Sequence, residues 1–220
     1  MTVRAVLFDF GNTLFAHAPL PETIRTEAAA LGRPVTTEWA RLLADRIQHE
    51  AHTAEELTHP RDLDAAVWAA RWPVLYAVAD DEVPGLGAAL YRSMHAAHEW
   101  VPYAAAAHTL AALQRAGVPV GIVSNTGWDV RSVFAHHGMD EGVRSFVLSF
   151  EAGAVKPAVE IFELACQRVG SAPGETLMVG DDPVADAGAV RAGLTTLLLP
   201  ALPPGAANGV DAVLSLVTSS

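Results

Sequence analysis

The chain has 220 residues, 51% of them apolar, which is enough for a sizeable core in one large domain or one domain with an insert. A formal charge of −11 argues against a nucleic-acid or acidic-membrane partner, since both select basic surfaces. The one cysteine, Cys166, cannot form an internal disulfide, which points to a reducing, cytoplasmic compartment and a buried structural thiol.

In chain order, the opening Met1-Thr2-Val3-Arg4 has no signal-peptide layout and enters a strand over residues 3–10. Asp9 falls at its carboxyl end. Residues 17–100 show no strand pattern. Four helical stretches are predicted there, over 21–31, 38–57, 63–79 and 86–98, with Thr37 and Asp62 as N-caps. Gly32-Arg33-Pro34, His59-Pro60 and Pro84-Gly85 separate them. Trp39, Trp68 and Trp72 are expected in the core of this helical block. The segments around Phe15-Ala16 and Trp100-Val101-Pro102-Tyr103 read as its two hinges. A helix over 108–116 then feeds a strand over 118–124. Strands over 144–149, 176–180 and 195–199 alternate with helices over 128–136, 158–169 and 183–192. These five apolar runs read as buried parallel strands of a doubly wound sheet. No apolar run approaches the roughly 20 residues of a membrane span.

Ligands of such sheets bind beyond the strand carboxyl ends. Asp9, Ser124 and Asp181 all fall there, and Lys156 follows the third strand closely. Lys156 is the only lysine among fourteen basic residues. An ammonium is a compact point charge, whereas a guanidinium is a flat fork, so its single use marks a geometric demand. A carboxylate, a hydroxyl, an ammonium and an acid cluster together are the parts that phosphoryl transfer needs.

Asp9-Phe10-Gly11-Asn12-Thr13-Leu14, Ser124-Asn125, Lys156-Pro157 and Gly180-Asp181-Asp182…Asp186 resemble, in order, the four motifs of the haloacid dehalogenase superfamily. The resemblance spans the whole chain. It implies an α/β fold: a Rossmann-like, doubly wound parallel core over 1–16 and 101–220, with an inserted all-α cap of the first type over 17–100. It also implies a Mg²⁺-dependent phosphatase acting on a small phosphorylated metabolite through an aspartyl-phosphate on Asp9. In that reading Asp9, Ser124 and Lys156 are catalytic. Asn12, Thr13 and Asn125 serve the substrate side, Thr13 by supporting the loop after the first strand. Asp9, the carbonyl of Gly11, Asp181, Asp182 and Asp186 serve the metal, with Asp181 as direct ligand ahead of Asp182. A homodimer is the one assembly left open.

One residue departs from the pattern. Phosphatases of the superfamily usually place an acid–base Asp two residues after the nucleophile, and here that position is Gly11. This motivates an alternative reading, a catalytically weak member that binds a phospho-ligand or a protein. A second alternative, a metal-independent carbon–halogen hydrolase, is opposed by the acids of the fourth motif. His95, His98 and Glu99 hint at a metal site but read as cap surface. Trp128 is placed either to pack or to approach substrate. Arg61, Arg71 and Arg92 are candidates for a second anionic group, with salt bridges as the default.

Overall fold

The computed structural model describes residues 2–217, so Met1 and residues 218–220 of the expected core lie outside the described residues. Strand β1 (Ala5–Phe8) is buried on both faces. Val6 and Phe8 enter one apolar cluster, and Ala5 and Leu7 enter the other. That two-sided burial is why the strand is a continuous apolar run rather than an alternating one.

The second short strand is β2 (Phe15–His17). Helices α1 (Leu20–Ala30), α2 (Thr37–Ala51), α3 (Ala65–Tyr76) and α4 (Leu86–His95) follow, before β3 (Trp100–Pro102). Then come α5 (Ala106–Arg115), β4 (Val120–Ser124), α6 (Arg131–His136), β5 (Ser145–Leu148), α7 (Ser149–Ala152) and α8 (Val159–Val169). Strands β6 (Thr176–Gly180) and β7 (Thr195–Leu198) and helix α9 (Val213–Leu216) close the chain. Strands β5, β4, β1, β6 and β7 form one parallel sheet in that order. The strand carrying Asp9 is therefore central, with the order running outward on both sides of it. That is the topological switch point where α/β sheets bind ligands. Helix α8 packs so tightly on one face that a Cβ on Gly121 would lie 2.8 Å from side-chain atoms of Leu7 and Val169. Residues of α5, α6 and α9 cover the other face.

Helices α1 to α4 share a separate apolar cluster that includes Ile24, Leu43, Ile47, Tyr76, Leu86 and Leu90. Their ends follow local chemistry. Thr36, not Thr37, caps α2 by accepting from the Trp39 amide at 3.2 Å. Asp64, not Asp62, caps α3 by accepting from the amides of Ala66 and Val67. Three of the four predicted helices end early and pass into 3₁₀ turns, at Glu56–Thr58, Ala77–Asp81 and Ala97–Glu99. The core stretch expected over 183–192 is likewise a 3₁₀ segment, Asp186–Ala192.

Two further differences concern strands. The expected hinge segments pair with each other as an antiparallel ribbon, β2 on β3, with Ala16 opposite Val101. Three-residue strands carry too little periodic signal to be read from sequence. Strand β7, expected to be buried, is half-exposed because it lies at the sheet edge.

Candidate active site

The strand ends deliver the site. Asp9 leaves β1 with its amide donating to the Val179 carbonyl of β6 at 2.8 Å. The loop beyond it turns back at once, with Asn12 in the left-handed region at φ 55° and its amide donating to the Phe15 carbonyl at 2.7 Å. Asn tolerates that conformation better than most residues. Ser124 ends β4 and Asp181 follows β6, and both line a cleft of about 430 Å³ shared with Asp9, Asn12 and Lys156.

Lys156 is 5% exposed, and its Nζ lies 2.6 Å from an oxygen of Asp9 and 2.6 Å from one of Asp186. Its backbone is clamped by the Asn125 side chain, which accepts from the Lys156 amide at 2.7 Å and donates to its carbonyl at 2.9 Å. Asp186 is fully buried. Its second oxygen accepts from the amides of Asp181 and Asp182, each at 3.0 Å. That fold-back lies where a Cβ on residue 180 would sit, so the motif needs Gly180. Gly188 is likewise pressed on Pro157, which holds the Lys156 segment against the Asp186 segment.

The electrostatics follow from burial. Desolvation, with help from Asp186 and Asp181, pushes the Asp9 carboxyl up to about 7 against the opposing pull of Lys156. Asp181 is also raised, first by burial and then by Asp186. Burial alone would depress the Lys156 ammonium, but the two carboxylates beside it reverse this and raise it. Asp182 differs: the amides of Ala185 and Val184 lower its carboxyl. Ligand oxygens of Asp9, Asp181 and Asp186 lie within 4.8 Å of one another. Three carboxylates against one ammonium leave two negative charges uncompensated when all ionise. An all-oxygen, doubly negative cluster suits a hard divalent cation.

Not every predicted residue reaches the cleft wall in the same way. Asp182 is exposed and its carboxylate caps the turn at Val184 and Ala185. Thr13 is fully buried, with its hydroxyl 3.4 Å from Asp181 and its carbonyl accepting from Asn208. Asn125 commits its side-chain amide to positioning Lys156. Gly11 lines the cleft, and a Cβ there would lie 3.8 Å from the Trp100 ring.

The sequence points to one member of the cleft's aromatic wall, Trp128, and not to the others. Trp68, expected in the helical core, is buried there and also lines the cleft with Trp100 and Trp128. The Trp68 indole donates to His95 Nε2 at 3.0 Å, while His95 Nδ1 pairs with the Tyr91 carbonyl. Burial lowers the His95 imidazole, and both of its nitrogens are engaged, so it staples α3 to α4 and is no metal ligand. His98 lies exposed beside Glu99. Arg61 and Arg71 both pair with the buried Glu56, as the salt-bridge default expects. The helical block touches the core where Gly127 packs on Trp68 and where the Ser149 hydroxyl donates to the Asp62 carbonyl. No helix among the described residues is long and apolar enough to cross a membrane.

A family model described as haloacid dehalogenase-like hydrolase matches residues 3–193. The chain is 29% identical over 208 residues to a glyceraldehyde 3-phosphate phosphatase of Methanothermobacter thermautotrophicus, covering 90% of this chain and 85% of that one. It is 31% identical over 210 residues to a ribulose-1,5-bisphosphate 5-phosphatase of Halopiger xanaduensis, covering 88% and 83%. A solved dehalogenase with an intermediate complex superposes at a TM-score of 0.72 and 23% identity, covering 100% of this chain and 99% of that one. At that identity the structural likeness speaks for the fold alone.

Proposed function

The chain belongs to the haloacid dehalogenase-like hydrolases, and from that premise we propose that it is a Mg²⁺-dependent phosphatase of a small phosphorylated metabolite. The observation that carries this reading is the Asp9–Lys156–Asp186 contact, with Asp181 completing the carboxylate cluster. Curated relatives named as sugar-phosphate phosphatases support it. The acids beside Asp9 disfavour the carbon–halogen alternative, in which they would have no charge to offset.

Asp9, Asp181 and the Gly11 carbonyl would hold Mg²⁺, with Asp186 behind them orienting the amides and the ammonium. When bound, the ion supplies positive charge that offsets repulsion between a carboxylate and a phosphate dianion. The Asp9 carboxylate attacks phosphorus, forming the acyl-phosphate bond as the ester P–O bond breaks. The departing oxygen takes a proton from water, because Gly11 offers none. Ser124 and Lys156 hydrogen-bond the transferred phosphoryl oxygens where charge gathers. A second water then attacks phosphorus, releasing inorganic phosphate and regenerating Asp9. Residues 17–100 act as a cap over this site, hinged on the β2–β3 ribbon.

The direct test is phosphate release from 4-nitrophenyl phosphate with Mg²⁺ and with EDTA. Release is expected only with Mg²⁺, and equal turnover in EDTA would sink the reading. Metal binding has its own readout. At about a hundred times its dissociation constant, a ligand adds about 2.7 kcal/mol. For a chain of this size that is roughly 5–10 °C in Tm. Mg²⁺ is expected to raise the melting midpoint by that order, and Asp181→Asn to erase most of the shift.

Gly11→Asp is expected to fold, since its Cβ has room beside Trp100 and its backbone lies outside the left-handed region. General acid–base help is worth about 10²–10⁴-fold and matters most for basic leaving groups. The rate on an alkyl phosphate relative to an aryl phosphate is therefore expected to rise at least about tenfold. An unchanged ratio in a folded, Mg²⁺-binding variant would mean that another group already supplies the proton.

A further inference from the structure

The half of the cleft that faces the helical block is chemically specific. Lys156 is the only lysine or arginine on the cleft wall among the described residues, and its ammonium is already shared by two carboxylates. Arg61, Arg71 and Arg92 do not line the cleft, and Arg61 and Arg71 pair with Glu56. A second phosphate or carboxylate on the substrate would enter with no countercharge, which costs several kcal/mol for a buried ion.

Most polar groups on this wall are also engaged. The Trp100 indole donates to the Met94 carbonyl at 2.9 Å, and the Trp68 indole to His95. The Tyr76 hydroxyl donates to Met94 Sδ at 3.6 Å. The His17 nitrogens face the Ala18 carbonyl and Ser93. The Gln48 amide and the Trp128 indole remain, few partners for the several hydroxyls of a sugar, and an unmet buried hydroxyl is costly. What the wall does offer is apolar surface, from the rings of Trp68, Trp100 and Trp128 and from Leu20, Leu90 and Met94. Phe10 stands behind Trp100 with its ring centroid 4.6 Å away, which fixes the ring as a platform.

We propose that the cleft is selective for a phosphate monoester that carries no second anionic group and whose organic part is an apolar, aromatic ring. This rests on the phosphatase reading, whose hydrolysis turns ester and water into alcohol and phosphate. It departs from the sugar-phosphate substrates for which the curated relatives are named. The missing acid at Gly11 fits the same class, because an aryl oxygen leaves without protonation more readily than an alkyl one.

The test is competition against hydrolysis of 4-nitrophenyl phosphate by the Mg²⁺-loaded protein. The competitors are 2-phenylethyl phosphate, glycerol 3-phosphate, 3-phosphoglycerate and fructose 1,6-bisphosphate. Inhibition reports recognition whether or not each ester turns over. The inhibition constant of 2-phenylethyl phosphate is expected to lie at least about tenfold below the other three, the scale on which apolar pockets discriminate. Trp128→Ala is expected to remove that preference and Trp128→Leu to keep part of it. Equal constants, or tighter binding of the bisphosphate or the glycerate, overturn the inference and leave the phosphatase reading standing. No hydrolysis of 4-nitrophenyl phosphate overturns the phosphatase reading, and the inference with it.

Discussion

Asp9→Asn is expected to abolish Mg²⁺-dependent phosphate release, with a loss on the order of 10⁵ or more, the scale of removing a nucleophile. The substitution keeps the side chain's shape and its ability to accept a hydrogen bond from Lys156, 2.6 Å away. It removes the negative charge that must attack phosphorus. Activity within about tenfold of wild type would place the nucleophile elsewhere. The same variant has a stability signature of opposite sign. In the metal-free protein the Asp9 carboxyl is raised from 3.8 to about 7, so the folded chain holds this proton where the unfolded chain has lost it. The folded state is thus favoured by this group at low pH, and that advantage drains away as pH climbs from about 4 to about 7. The asparagine side chain of the variant cannot titrate. Across that window the stability of metal-free wild type should fall relative to the variant, as read by denaturant melts at several pH values. A difference that stays constant with pH would show that Asp9 ionises there without penalty.

Legibility in the sequence depended on the range of the cause. Strand β6 was readable to the residue because Thr176-Leu177-Met178-Val179-Gly180 is apolar, short and bounded by turn chemistry. That Asp9, Ser124, Lys156 and Asp181 line one cleft was readable because strand ends in a parallel sheet converge on one rim. The β2–β3 ribbon was not, since three residues have no period and their pairing joins Phe15–His17 to Trp100–Pro102 across the whole helical block. Helix ends shifted because Thr36 and Asp64 compete with equally suitable neighbours, Thr37 and Asp62. The role of Asn125 needed the third dimension: only the fold shows that its amide closes on the Lys156 backbone. The same holds for Trp68, which is buried as expected but whose place on the cleft wall only the fold shows.

Lys156→Arg is expected to fail as a replacement although it conserves charge. The ammonium is buried and bonds two carboxylates at the same 2.6 Å distance. A guanidinium is longer and planar and needs room for a fork rather than a point. Nor can the backbone withdraw to accommodate it, since Asn125 clamps the Lys156 backbone and Gly188 presses on Pro157 with no space for a Cβ. Removing a donor aimed at developing charge costs about 10²–10³ in rate. Lys156→Arg and Lys156→Ala should therefore lie within about tenfold of each other in kcat/KM, both about 10²-fold or more below wild type. Lys156→Ala also strips the countercharge from Asp9 and Asp186, and breaking a buried pair costs about 3–5 kcal/mol. Its melting midpoint should fall further than that of the arginine variant, so activity must be compared in protein shown to be folded. If folded Lys156→Arg keeps near wild-type kcat/KM, then positive charge alone suffices, and one lysine among fourteen basic residues has no geometric meaning.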